Sequence, residues 1–383
     1  MTDDSTPEDA ERLIVESDAL HARVRAFATG SSGETFEALA LRIARFQRRY
    51  APGFARLVAV HRSALGSADD IPAVPAEVFR IARVAVHPAE LDVASFETSG
   101  TTAVRAGVHA FRTLETYRAL ALALAEKALF GSVRGPCTVV ALAPPPGALP
   151  RSSLGFMLRL FMDHFDARPP VFERGFDGPE RFLCGPSGID VARLFDVARH
   201  ARERGEPLCV LATSFALVAL LDALGGAPVP APPATLVMQT GGFKGRAREV
   251  DAAELRAAVA RTFGIGPESV VGEYGMTELT SQLYEDTGAT RPTRAERFRF
   301  GVYCAPPWLR VVPVNPATLE PCRDGEVGIA KFIDLGNVDS AVAVITQDLV
   351  VRRGDGIELL GRRRGAPPRG CSLAVEGLLA GHA

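Results

Sequence analysis

The chain lacks any pair of cysteines at CxxC spacing. Its six cysteines stand alone at 137, 184, 209, 304, 322 and 371 with no histidine cluster beside them, so neither a zinc site nor a disulfide framework is readable and free thiols are expected. It also lacks an excess of either charge. Its 43 Lys and Arg against 45 Asp and Glu leave −2 at pH 7, which gives no global attraction to nucleic acid or to an anionic membrane, although Arg362-Arg363-Arg364 form a local cationic cluster. No apolar run is long enough to span a membrane, and the start Met1-Thr2-Asp3-Asp4 has no charged-then-apolar leader pattern, so a cytoplasmic location is expected. Lysine is scarce, with only Lys127, Lys244 and Lys331. Repeats and low-complexity tracts are missing as well. What is present is a 47% hydrophobic content over 383 residues, enough to bury a large core in two or three packed subdomains.

The first 90 residues read as largely helical, with apolar positions at helical spacing around Phe36 to Phe46, and end in Ile71-Pro72-Ala73-Val74-Pro75. A polar loop from Ser99 then leads to a predicted helix that Thr113 can cap, with Leu114, Tyr117, Leu120 and Leu124 on one face and Gly131 at its end. The middle carries the clearest fold signal. Strand-like Leu208 to Leu211, helical Phe215 to Leu224, strand-like Thr235 to Met238, helical Glu249 to Phe263 and strand-like Ser269 to Val271 spell βαβαβ, the pattern of a parallel sheet covered by helices. From Trp308 onward short strands alternate with turns: Leu309 to Val314, Glu326 to Ile333, Ala341 to Ile345, Leu349 to Arg352 and Ile357 to Leu360.

Ligands of parallel sheets bind at the carboxyl ends of the strands, and the two most unusual polar segments, Thr240 to Lys244 and Gly272 to Glu278, directly follow strands. Ser99-Gly100-Thr101-Thr102 is a Gly and hydroxyl loop of the kind that holds phosphate oxygens through backbone N–H groups and hydroxyls. A carboxylate at Glu278 suits the Mg²⁺ that accompanies a nucleotide. Each feature has a plainer explanation, as a capping turn for the loop and a first-turn helix acid for Glu278. Together they point to ATP-dependent activation of a carboxylate. Cys184-Gly185-Pro186-Ser187-Gly188 lacks the spacing of a hydrolase nucleophile turn.

These segments resemble the adenylate-forming superfamily, the acyl-CoA synthetases and their relatives. Thr98 to Thr102 resembles its phosphate loop, Gly241-Gly242 its adenine-side segment, Tyr274-Gly275-Met276-Thr277-Glu278 its YGxTE motif, Thr346-Gln347-Asp348 its TGD motif, and Gly361-Arg362 the GR before the lid. More narrowly, Ile71 to Phe79, Glu273 to Tyr284 and Arg369 to Leu373 are similar to the LuxE-type acyl-protein synthetases. The resemblance implies an α/β large domain over 1–360, with parallel sheets flanked by helices and a small β subdomain at about 301–360, then a short tail, 361–383, in place of the lid domain. It implies that ATP and Mg²⁺ convert a carboxylic acid, a fatty acid in the family, into an acyl-adenylate. The acyl group then passes to Cys371 as a thioester for a reductase or carrier protein. Ser99, Gly100, Thr101, Thr102, Gly241, Gly242, Tyr274, Gly275, Asp348 and Arg362 would bind the nucleotide, with Thr277, Glu278 and Cys371 catalytic and Asp348 on the ribose. The chain departs from the pattern at Ala103 and Gln347, where the superfamily has Gly, and in the missing lid lysine, for which Lys244 is the candidate substitute.

Arg362, Arg363, Arg364 and Arg369 lie close in sequence to Cys371, and cations favour the thiolate. Cys137 and Cys209, in apolar runs, read instead as buried and inert. Met157, Leu158, Phe161 and Phe215 are either an acyl tunnel or ordinary core. Two other readings stay open: a ligase whose acceptor is coenzyme A or another small molecule, and a degenerate nucleotide-binding protein without catalysis.

Overall fold

The computed structural model describes residues 7–98, 105–131, 133, 135–166, 181–185, 188–241, 251–286 and 299–363. The N-terminal region is helical, as its spacing predicts: α1 (Pro7–Ala28), α2 (Phe36–Tyr50) and α3 (Pro52–Val60). The Thr35 hydroxyl caps α2 by accepting from the Ala38 amide, and Leu39, Ala40, Ile43, Ala44, Phe46 and Gln47 recur at i+3 and i+4 to form its buried stripe. Then follow β1 (Val74–Pro75), α4 (Val78–Ile81), β2 (Ala94–Glu97), β3 (Val108–Phe111), α5 (Glu115–Ala128), β4 (Thr138–Leu142), α6 (Ser153–Phe165), β5 (Cys184–Gly185), β6 (Gly188–Ile189) and α7 (Val191–Arg204). The Thr113 hydroxyl accepts from the Glu115 amide at 3.3 Å, although α5 itself begins after Leu114.

The βαβαβ reading holds: β7 (Leu208–Thr213), α8 (Ser214–Leu224), β8 (Leu236–Thr240), α9 (Ala252–Phe263) and β9 (Val270–Tyr274). Thr213 and Asp251 accept from the first amides of α8 and α9, and both helices stop at a glycine with positive φ, Gly225 and Gly264. Strands β4, β7, β8 and β9 pair in parallel. Their side chains alternate between two cores: Val139, Ala141, Cys209, Leu211 and Met238 face the layer of α1, α2, α5 and α6, while Val140, Leu142, Val210 and Val237 face α7, α8 and α9. Helices therefore cover both faces of the parallel strands.

The remaining strands are β10 (Leu283–Asp286), β11 (Arg299–Cys304), β12 (Leu309–Val314), β13 (Val327–Asp334), β14 (Ala343–Arg353) and β15 (Gly356–Arg362). They continue the same sheet, in the order β12-β13-β14-β15-β11-β10-β9-β8-β7-β4 with β1 beside β14. From β9 outward these strands pair antiparallel. Where two strands are expected, Ala341 to Ile345 and Leu349 to Arg352, there is one. The polar triplet Thr346-Gln347-Asp348 does not interrupt β14, because Asp348 pairs with Arg362 in the ladder and the Thr346 hydroxyl accepts from the Asp348 amide at 3.1 Å. Gly361 and Arg362 belong to β15 rather than to a tail.

Candidate active site

The segment Tyr274 to Gln282 joins the last parallel strand, β9, to the first antiparallel one, β10, which pair at Leu283↔Tyr274 and Tyr284↔Glu273. Tyr274 closes β9 with its ring stacked on Phe332, centroids 5.8 Å apart. Its hydroxyl donates to Asp348 Oδ2 at 3.0 Å, and Arg362 Nε lies 3.2 Å from Asp348 Oδ1. Three motifs far apart in sequence thus meet at one carboxylate. Burial, and then the neighbouring Asp348 charge, hold the Tyr274 phenol well above its ordinary range, so it stays a protonated donor.

Gly275 lets the chain turn tightly, since a Cβ there would lie 2.7 Å from Glu273 Oε1. Thr277 and Glu278 are each 2% exposed. The Thr277 hydroxyl lies 3.3 Å from that of Ser153 at the start of α6, and its carbonyl accepts from His109 Nδ1 at 2.8 Å. The charge of Glu278, after burial and Asp348, also raises the Tyr274 phenol. One strand over, Thr240 pairs with Glu273, and Gly241, at φ +76°, follows it. The Gly241 carbonyl accepts from the Ser214 hydroxyl at 2.6 Å.

Ser99, Gly100, Thr101, Thr102, Gly242, Lys244 and Cys371 lie outside the described residues. The base of the Ser99 loop is described: Thr98 and Gly107 close it through Thr98 N–H to Gly107 C=O at 2.9 Å and Gly107 N–H to the Thr98 hydroxyl at 2.7 Å. Glu97 N–H donates to the Arg151 carbonyl at 2.8 Å, just before α6. The loop base and Thr277 therefore both touch the start of α6.

Glu273, a family-segment residue given no role from sequence, is a buried carboxyl that accepts from the Thr240 hydroxyl. Burial pushes it up to about 7. A charged residue ending the apolar run Val270-Val271-Gly272 is the signal that could have marked it. His109 was also missed; burial holds its imidazole down to about 4, so above that pH it is neutral. Met157, Leu158 and Phe161 are core, at 2%, 1% and 0% exposed, while Phe215 is half-buried. Cys137 and Cys209 are buried, and burial raises the Cys209 thiol far above its usual range.

Among the described residues, no cluster of three or more His, Cys, Asp or Glu side chains is arranged to hold a metal ion. One carboxylate at Glu278 fits an ion that arrives on a nucleotide and takes most of its ligands from phosphate and water, as Mg²⁺ does, and not a permanently bound metal. None of the described helices is long and apolar enough to cross a membrane.

The fold is similar to that of 2-hydroxyisobutyryl-CoA ligase. With 2-HIB-AMP and CoA in the thioesterification state, that structure matches at a TM-score of 0.58 and 12% identity, over 91% of this chain and 68% of that one. Its open conformation matches at 0.56 and 12%, over 86% and 74%. At such identity the likeness speaks for the fold alone. In sequence, the long-chain-fatty-acid–luciferin-component ligase of Vibrio harveyi is 25% identical over 149 residues, 37% of this chain and 36% of that protein. The ligase of the same description from Aliivibrio fischeri is 21% identical over 154 residues, 37% and 38%. The matched stretch thus spans little more than a third of either relative's length. The family described as acyl-protein synthetase, LuxE, matches residues 59–380, from the end of α3 to near the last residue, and this chain belongs to that family.

Proposed function

We propose that the chain is an ATP-dependent acid–thiol ligase that activates a carboxylic acid as its acyl-adenylate and passes the acyl group to a cysteine thiol. The observation that carries this reading is the convergence of Tyr274, Asp348 and Arg362 beside the buried Glu278 loop, in a chain of the LuxE family. In the first step a substrate carboxylate oxygen bonds to the α-phosphorus of ATP while the α–β bridging bond breaks and pyrophosphate leaves. The residues at the strand ends orient the reactants: Asp348 accepts the ribose hydroxyls, Gly241 and Gly242 flank the adenine, and the loop from Ser99 to Thr102 holds phosphate oxygens with Thr277. When bound, Mg²⁺ would offset charge on the phosphates, and Glu278 would hold it. In the second step the Cys371 thiolate bonds to the acyl carbon and AMP leaves. A fatty acid is the favoured substrate, because the relatives with matching sequence are named as long-chain-fatty-acid ligases. A reductase or carrier protein is the proposed final acceptor.

Acid-dependent exchange of pyrophosphate into ATP tests the first step. Its absence across aliphatic and aryl acids, with Mg²⁺ and folded protein, sinks the catalytic reading, and nucleotide binding without exchange leaves a binding protein. Intact-protein mass spectrometry of the unmodified chain and Cys371→Ser tests the second. The variant keeps exchange and loses the hydroxylamine-sensitive acyl adduct; an adduct that persists as a thioester moves the acceptor to another cysteine, and acylation of added coenzyme A alone moves it off the protein.

A further inference from the structure

Asn337, in the turn between β13 and β14, is 1% exposed. Its Nδ2 donates to the carbonyls of Glu278 at 3.0 Å and Ala341 at 2.8 Å, and its Oδ1 accepts from the Thr280 hydroxyl at 2.7 Å. Asp334, at the end of β13, accepts from the Thr280 and Ser281 amides, both at 2.9 Å, and from the Ser281 hydroxyl at 2.7 Å. On the other side His109, in β3, donates from Nδ1 to the Thr277 carbonyl at 2.8 Å. A carbonyl can only accept, so the proton sits on Nδ1. Between Thr277 and Ser281, four residues thus have backbone groups bonded to side chains from two distant parts of the chain. Gly336 permits the approach, because a Cβ there would lie 2.9 Å from the Thr280 side chain.

Buried loops need their backbone groups paired, but water or neighbouring backbone would satisfy that need without fixing one geometry. Here the bonds converge on both carbonyls bounding the Glu278 residue and on the amides that follow. We propose that Asn337 and His109 are positioning residues for Glu278, gripping the carbonyls of Glu278 and Thr277 while Asp334 anchors the next turn. This rests on the catalytic reading of Glu278. The grip itself is a property of the chain without nucleotide or metal.

The test uses three full-length variants. Asn337→Asp keeps the shape but replaces the donor with an acceptor facing two carbonyls. His109→Leu removes the donor, and His109→Asn restores one at the Nδ1 position. Amide hydrogen exchange, measured without ATP or Mg²⁺, is expected to quicken at Thr280 and Ser281 by about tenfold or more in Asn337→Asp and His109→Leu, with β7 and β8 unchanged and His109→Asn near the unmodified rate. In pyrophosphate exchange the first two variants lose about 10- to 100-fold in kcat, half-saturation by Mg²⁺ moves up, the KM for the acid stays put, and His109→Asn recovers most of the rate. Unchanged loop exchange overturns the proposal, as does a uniform rise across β7 and β8, which marks general destabilisation. So does a quickened loop with unchanged kcat and Mg²⁺ dependence. If the unmodified chain exchanges no pyrophosphate, the catalytic reading fails by itself, and the amide rates still decide whether the two side chains hold the loop.

Discussion

Two carboxyls five residues apart, Glu273 and Glu278, are both buried yet suit opposite tasks. Glu278→Gln removes a charge while keeping the shape, so pyrophosphate exchange should fall about 100-fold or more with the melting temperature nearly unchanged; an unchanged rate would remove the metal role. Glu273 is raised to about 7 from 4.5 by burial, against the Thr240 hydrogen bond that favours its charge. Its folded form therefore holds a proton that the unfolded chain has released between those values. The associated stability is complete below about pH 4.5 and is lost as pH rises through about 7. Glu273→Gln, which cannot ionise, should gain on the unmodified protein between pH 5 and 8 by up to about 3 kcal/mol in urea denaturation. A difference that does not change with pH would show that the carboxyl ionises freely in the fold. The sequence exposes Glu278 through its neighbours in a short motif. It hides His109 and Asn337, because a polar residue in an apolar strand or turn declares its partner only once distant segments meet.

Among the elements, α2 reaches across the fold to the turn between β13 and β14. Gln47, fully buried on its apolar stripe, donates to the carbonyls of Asn337 at 2.7 Å and Val338 at 2.9 Å and accepts from the Val342 amide at 3.1 Å. Gln47→Ala would strand three buried backbone groups and should cost about 2–4 kcal/mol in urea denaturation; a cost below about 0.5 kcal/mol would mean that the turn is satisfied without it. Helical and strand periodicity gave β7, α8, β8 and β12 to within a residue or two of their observed bounds, and the helical spacing around Phe36 to Phe46 marked α2, which runs on to Tyr50. The same reasoning split β14 at Thr346-Gln347-Asp348, since a polar triplet reads as a turn until its ladder partner Arg362 is known. The resemblance supplied Asp348 and Arg362 as site residues; only the structure shows Tyr274 joined to both through one carboxylate.

Over the whole molecule, the helices that precede the matched family segment are part of the same core as the sheet. Leu39 and Ile43 of α2 are fully buried with Leu120 of α5 and Phe332 of β13, and Asp339 receives bonds from Ser17 and His21 of α1. A chain begun at residue 59 should therefore fail to fold cooperatively, giving a broad urea transition and no near-ultraviolet circular dichroism; a sharp transition would make the helices a separate unit. The continuous sheet also sets the size of the loop that carries Glu278. Residues 275–282 bridge paired strands, and β11, β15, β14, β13 and β12 are hung in succession from the far side of that hairpin. Removing one residue from the loop would slide β10 one place along β9 and exchange the faces of its side chains, and because both faces are buried, Leu283 and Tyr284 would each lose their packing. Variation at residues 275–282 is therefore open to this scaffold by exchange of side chains and closed to it by change of length.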